Sequence, residues 1–115
     1  MKQRDVAIIG GGFAGLMAAI ACAKTGRKAS VFFYGSGAFP LNSGLIDILG
    51  YDEERTWVAD PLAAIEKLPA EHPYHRIGKK SIEEAALFFL DLMKDEGFGY
   101  CGSIHEQQSA VTPVG

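Results

Sequence analysis

Cysteine is scarce in this chain of 115 residues: Cys22 and Cys101 are the only two, with no C-x-x-C pair and no His at metal-ligand spacing. A secreted disulfide scaffold would be denser in cysteine, and a zinc site needs closely spaced ligand pairs, so both are excluded. A reducing, cytoplasmic compartment is the expectation. Positive charge is scarce too, with 11 Lys and Arg against 14 Asp and Glu, a net charge of −3 and no basic block. Nucleic-acid binding needs a concentrated positive footprint, so that partner class falls away. At 48% hydrophobic and 22% charged residues the chain is ordinary globular protein, of a length for a single domain over residues 1–115. Any redox chemistry must therefore come from something the chain binds.

Long apolar stretches are few. The uncharged run over residues 6–23 follows Lys2 and Arg4 and ends in Ala21-Cys22-Ala23, a layout shared with signal peptides and marginal membrane spans. Asp5 interrupts the expected charge pattern, and Gly10-Gly11-Gly12 breaks any helix through the run. The run divides better in two. Asp5-Val6-Ala7-Ile8-Ile9 reads as a short strand of the fully buried, parallel-sheet type. A helix is predicted over residues 14–25, with Leu16, Ala19, Ile20 and Ala23 on one face, Lys24 at its negative end and Gly26 as its stop. Residues 29–34 read as a second strand. This is a βαβ unit, and the fold class it predicts is α/β, a Rossmann-type FAD/NAD(P)-binding fold.

Between strand and helix stands Gly10-Gly11-Gly12-Phe13-Ala14-Gly15, a G-x-G-x-x-G with both structural flanks that the motif requires. Gly10 permits the tight turn, Gly12 lets a pyrophosphate approach backbone amides at the helix start, and Gly15 allows helix and strand to pack closely. The second strand of a dinucleotide site normally ends in an acidic residue that bonds the ribose. That place falls at Phe33 or Tyr34, and no Asp or Glu occurs between Lys24 and Asp47. A standard NAD or NADP site is disfavoured. Either the ribose is held differently, by Ser36 or backbone amides, or the nucleotide is another one.

The opening Val6-Ala7-Ile8-Ile9-Gly10-Gly11-Gly12-Phe13-Ala14-Gly15-Leu16-Met17-Ala18-Ala19 resembles the amino terminus of flavoproteins with two dinucleotide-binding domains. Three further stretches narrow the resemblance: Ser43-Gly44-Leu45-Ile46-Asp47-Ile48-Leu49, Glu71-His72-Pro73-Tyr74 and Val111-Thr112-Pro113-Val114-Gly115. In that order they resemble the amino-terminal portion of the anaerobic glycerol-3-phosphate dehydrogenase B-subunit family. The resemblance implies a flavin, FAD or FMN, and oxidation of glycerol 3-phosphate to dihydroxyacetone phosphate alongside catalytic and iron–sulfur partner subunits, in the cytoplasm or at the inner membrane face. FMN lacks the adenosine ribose and would not need the absent acid. The resemblance also implies that residues 1–115 belong to a longer enzyme. Alone they are expected to show little dehydrogenase activity and to expose surfaces that invite self-association. Two other readings stay open: a fumarate-reductase-like or amine-oxidase-like FAD enzyme, and a non-catalytic nucleotide-binding module.

In the rest of the chain, residues 35–40 form a loop in which Ser36 is suited to a phosphate, and Asn42-Ser43-Gly44 offers an amide, a hydroxyl and bare backbone to a cofactor. A plain turn is the alternative there. Residues 45–49 read as a helix or a strand. Asp60-Pro61 opens a helix to residue 68, with residues 69–80 as a loop around Pro69 and Pro73. Ser81-Ile82-Glu83-Glu84 reads as a capping box opening a helix that runs to residue 96 and packs through Ile82, Ala85, Ala86, Phe89, Leu92 and Met93. Residues 100–104 read as a strand and Trp57 as a packing anchor. His72, His75 and His105 read as polar residues satisfied by backbone or solvent, so no catalytic residue and no metal ligand is assigned.

Overall fold

Short apolar runs on either side of a glycine turn organise the first part of the chain. The computed structural model describes residues 3–35, 37, 39–41 and 43–110. In it Val6–Ile9 is strand β1, Phe13–Lys24 is helix α1 and Ala29–Phe32 is strand β2. The strands pair in parallel, Val6 opposite Ala29 and Ile9 opposite Phe32. Parallel neighbours need a crossover, which α1 supplies. The Gly10 N–H extends the ladder by donating to the Phe32 carbonyl at 2.8 Å. At the other end the Asp5 carboxylate accepts the Lys28 N–H at 2.8 Å. Helix α1 stops where Gly26 takes φ 75°. There the Arg27 N–H donates to the Cys22 carbonyl at 2.9 Å and the Gly26 N–H to the Ala23 carbonyl at 3.0 Å, the paired bonds of a Schellman ending. This is the opening of a Rossmann-type α/β fold.

Two compact units divide the chain, Met1–Leu45 and Ile46–Gly115. No described residue of the first is buried. Ile9, Phe32, Phe33 and Tyr34 are each more than half exposed. A short 3-10 turn at Phe39–Leu41 completes what is described of it. Ser36, Asn42 and the 111–115 stretch lie outside the described residues.

The second unit holds every buried side chain among the described residues: Val58, Pro61, Leu62, Ile65, Ile82, Phe89, Leu92 and Ile104. Helix α2, Pro61–Ala64, continues as a 3-10 turn at Ile65–Lys67. Asp60 caps it, its Oδ1 accepting the Ala63 N–H at 2.9 Å, and Pro61 at the first position lacks an N–H that would otherwise need a partner. Helix α3 is Pro73–Ile77 and helix α4 is Lys79–Asp95. Leu62, Ile65, Ile82 and Ile104 form the core, with Ile48, Leu49, Leu68, Tyr74 and Ala86 packed against it. Asp60→Ala is expected to cost this unit about 1 kcal/mol, the usual worth of a lost cap. Urea denaturation followed through Trp57 fluorescence reads that loss, and an unchanged midpoint would mean the cap is not what starts α2.

Several expectations need correction. Residues 69–80 are not a loop throughout, because Pro73 opens α3. Helix α4 begins at Lys79, with Gly78 as its N-cap at φ 84°, so Ser81 lies inside the helix and forms no capping box. Residues 45–49 are neither helix nor strand. Residues 100–104 form no strand: Ser103 and Glu106 make an isolated bridge, a tight turn that brings Ile104 into the core. Trp57 anchors nothing, being 59% exposed where it bridges Tyr51. On α4, Ile82, Phe89 and Leu92 are buried as expected, while Ala85 is exposed.

Candidate functional site

The glycine turn occupies the place in the fold where a nucleotide-binding site belongs, at the carboxyl end of β1 and the start of α1. Gly10 turns out of the strand at φ 111°, a backbone region that side chains disfavour. Gly12 is the N-cap of α1 with extended backbone, φ −79° and ψ −176°, and its carbonyl accepts the Leu16 N–H at 3.0 Å. No side chain caps the helix there and no acidic residue stands in its first turn. A Cβ built on Gly12 would meet nothing within 4 Å. Open space above bare backbone at an uncapped helix start is what a pyrophosphate oxygen needs, since the helix dipole and first-turn N–H groups favour an anion.

Gly15 faces the other way. A Cβ there would lie 2.0 Å from the Gly10 carbonyl oxygen and 3.5 Å from Ile8 Cγ2. Only glycine lets α1 approach β1 this closely. On Gly11 a Cβ would come within 2.8 Å of Phe33 Cγ. Phe33, just past β2, therefore lies over the turn.

Tyr34 is fully exposed beyond the end of β2, which stops at Phe32. Ser43 Oγ accepts the Leu45 N–H at 3.3 Å, and Gly44 takes φ 83°. The parts of the expected site thus differ in kind: Gly10 to Gly15 form one continuous turn, Tyr34 projects into solvent, and Ser43 and Gly44 make a local turn of their own. Gly37 was not among the expected site residues. At φ 67° it returns to the glycine turn, and a Cβ on it would come within 2.9 Å of the Gly11 carbonyl oxygen. Its signal in the sequence is the Gly35-Ser36-Gly37 spacing, two glycines flanking one polar residue directly after a strand.

Each histidine ring has a partner in the structure. His72 Nδ1 accepts the Tyr74 N–H at 3.2 Å and so caps α3, which requires that nitrogen to be unprotonated. His75 Nε2 lies 2.8 Å from the Leu68 carbonyl, which can only accept, so this nitrogen carries the hydrogen. His105 Nε2 lies 3.4 Å from Glu83 Oε1 on the surface. Among the described residues no His, Cys, Asp and Glu cluster is placed to hold a metal ion. No described helix is long and apolar enough to cross a membrane. The run over residues 6–23 is instead a strand, a turn and a 12-residue helix.

The chain is similar over its whole length to the B subunit of anaerobic glycerol-3-phosphate dehydrogenase from Vibrio cholerae serotype O1, 37% identical over 122 residues that make up 27% of that protein. Over 96% of its length it is 36% identical to the same protein of Actinobacillus succinogenes, covering 26% of it. Over 76% it is 38% identical to a probable B subunit of the same enzyme from Halobacterium salinarum, covering 21%. The chain therefore spans about a quarter of the length of the curated relatives it matches. No solved structure matches it. The FAD binding domain family matches residues 5–115, from the residue before β1 to the last of the chain. The glycine turn fits the phosphates of such a cofactor, and the chain belongs to this FAD-binding family of flavoproteins.

Proposed function

We propose that this chain is the flavin-holding portion of a dehydrogenase that oxidises sn-glycerol 3-phosphate to dihydroxyacetone phosphate and passes the electrons to a partner protein. The observation that carries the reading is the open backbone at Gly12, set at the start of α1 between two parallel strands. Similarity over the whole chain to these dehydrogenase B subunits supports the substrate and a place in an assembly of several subunits, in which we place one catalytic partner and one holding iron–sulfur clusters. The unpaired thiols Cys22 and Cys101 support a cytoplasmic position.

When bound, the flavin supplies the capacity to accept two electrons as a hydride leaves the substrate carbinol carbon. The protein's part is positional. Gly10 sets the turn, Gly12 with the first-turn amides Phe13 and Ala14 holds the phosphates, and Gly15 keeps the helix against the strand. Ser43 and Gly44 would border the rest of the cofactor; Ser36 and Asn42, expected in the same role, lie outside the described residues. With no acid at the end of β2, backbone groups of the loop after Tyr34 hold the adenosine ribose of an FAD. The exposed apolar side chains Ile9, Phe32 and Phe33 support packing of the first unit against further polypeptide.

An absorbance spectrum of the purified chain across the near-ultraviolet and blue, with mass spectrometry of whatever heat releases, tests this. Flavin bands and the mass of FAD are expected. Colourless protein, both as this chain and extended to the length of its relatives, would overturn the reading.

A further inference from the structure

Ile48 and Tyr74, one from each of two stretches that carry the resemblance, meet within the second unit. Tyr74 Oη donates to the Ile48 carbonyl at 2.7 Å. Gln107 Nε2 donates to the next carbonyl, that of Leu49, at 2.6 Å. Residues 45–49 are neither helix nor strand. These carbonyls therefore have no ladder to satisfy them, and side chains do so instead.

Both donors are themselves held. Tyr74 lies in α3, its N–H donating to His72 Nδ1 at 3.2 Å, with the two rings edge to face at 4.8 Å. The Gln107 N–H donates to the Ala59 carbonyl at 3.3 Å. Ile48 and Leu49 pack against the core that Leu62, Ile65, Ile82 and Ile104 build. One hydrogen bond would leave the backbone free to pivot about it. Two on consecutive peptide units, delivered from segments 26 and 58 residues further along, fix its direction as well.

We propose that Tyr74 and Gln107 are positioning residues that clamp the backbone at Ile48 and Leu49, and thereby fix the path on which Ile46 and Asp47 enter the second unit. The likeness in His72-Pro73-Tyr74 is then explained without chemistry: His72 caps α3, Pro73 starts it, and Tyr74 reaches across to the clamp.

Backbone 15N relaxation on the chain and on Tyr74→Phe and Gln107→Ala decides the matter. Tyr74→Phe removes one oxygen and keeps the ring against His72, while Gln107→Ala tests the other half should the first fail to fold. Order parameters of residues 46–49 are expected near the rigid value of about 0.85 in the parent and to fall towards about 0.6 in each variant. Those of α4 should stay unchanged. Unaltered values at 46–49, or a fall shared equally by α4, would overturn the clamp, the second because it marks general loosening. Titrating the same variants with FAD reads the proposed function separately, since the relaxation data decide the clamp whether or not flavin binds.

Discussion

Replacing Gly12 by aspartate is expected to strip flavin from the protein while raising the stability of α1. The two effects have opposite sign because they come from the same geometry. Gly12 already has the extended N-cap conformation, and a Cβ there meets nothing within 4 Å. An aspartate fits without strain, accepts a first-turn N–H and places a negative charge at the positive end of the helix dipole. That is worth a few tenths to about 1 kcal/mol. The carboxylate then fills the space proposed for a phosphate and repels it. Like charges held together cost several kcal/mol, so affinity should fall at least about 100-fold. A thermal melt by circular dichroism and a flavin titration read the two halves independently. Retained affinity would place the phosphates elsewhere. Lost affinity with lost stability would show only that the turn had been broken.

Gly15→Val should act through the fold. The added Cβ would sit 2.0 Å from the Gly10 carbonyl oxygen and 3.0 Å from its carbon, both backbone atoms with no rotamer to move. Helix α1 would have to lift from β1 by more than an ångström. Overpacking a core with side chains to spare costs about 1–3 kcal/mol, and here there are none to spare, because no described residue of this unit is buried. The expected result is loss of the β1–α1–β2 unit, with its amides exchanging freely while α4 stays protected. Hydrogen exchange resolved by peptide measures both at once. Native protection at β1 and α1 in the variant would show that the helix stands further from the strand than Gly15 requires.

The β1–α1–β2 unit could be read from residues alone because its signals are local. Glycines at 10, 12 and 15 fix the turn, Gly26 supplies the left-handed stop of α1, and the apolar runs are too short for anything but strands. Strand β2 ends at Phe32 rather than Tyr34 because Phe33 turns onto Gly11, a tertiary contact that no propensity records. Helix α3 escaped notice although Pro73 stands at its first position just as Pro61 does in α2. The difference is the cap: Asp60 is a familiar one, whereas His72 performs the task through a ring nitrogen. The early start of α4 has a similar cause, since Gly78 joins α3 to α4 directly and leaves no room for Ser81 to act as cap. At the site, the glycine turn was legible to the residue. Gly37 was not, because its approach to Gly11 depends on how the chain returns after β2.

All eight buried side chains among the described residues, from Val58 to Ile104, lie in the second unit. A ribosome delivers the first unit earlier, yet that unit has no interior with which to hold itself together. Domains generally fold from the amino terminus as they emerge. Here the order of synthesis runs against the distribution of buried side chains, so the glycine turn is expected to become protected from hydrogen exchange only after the second unit has done so.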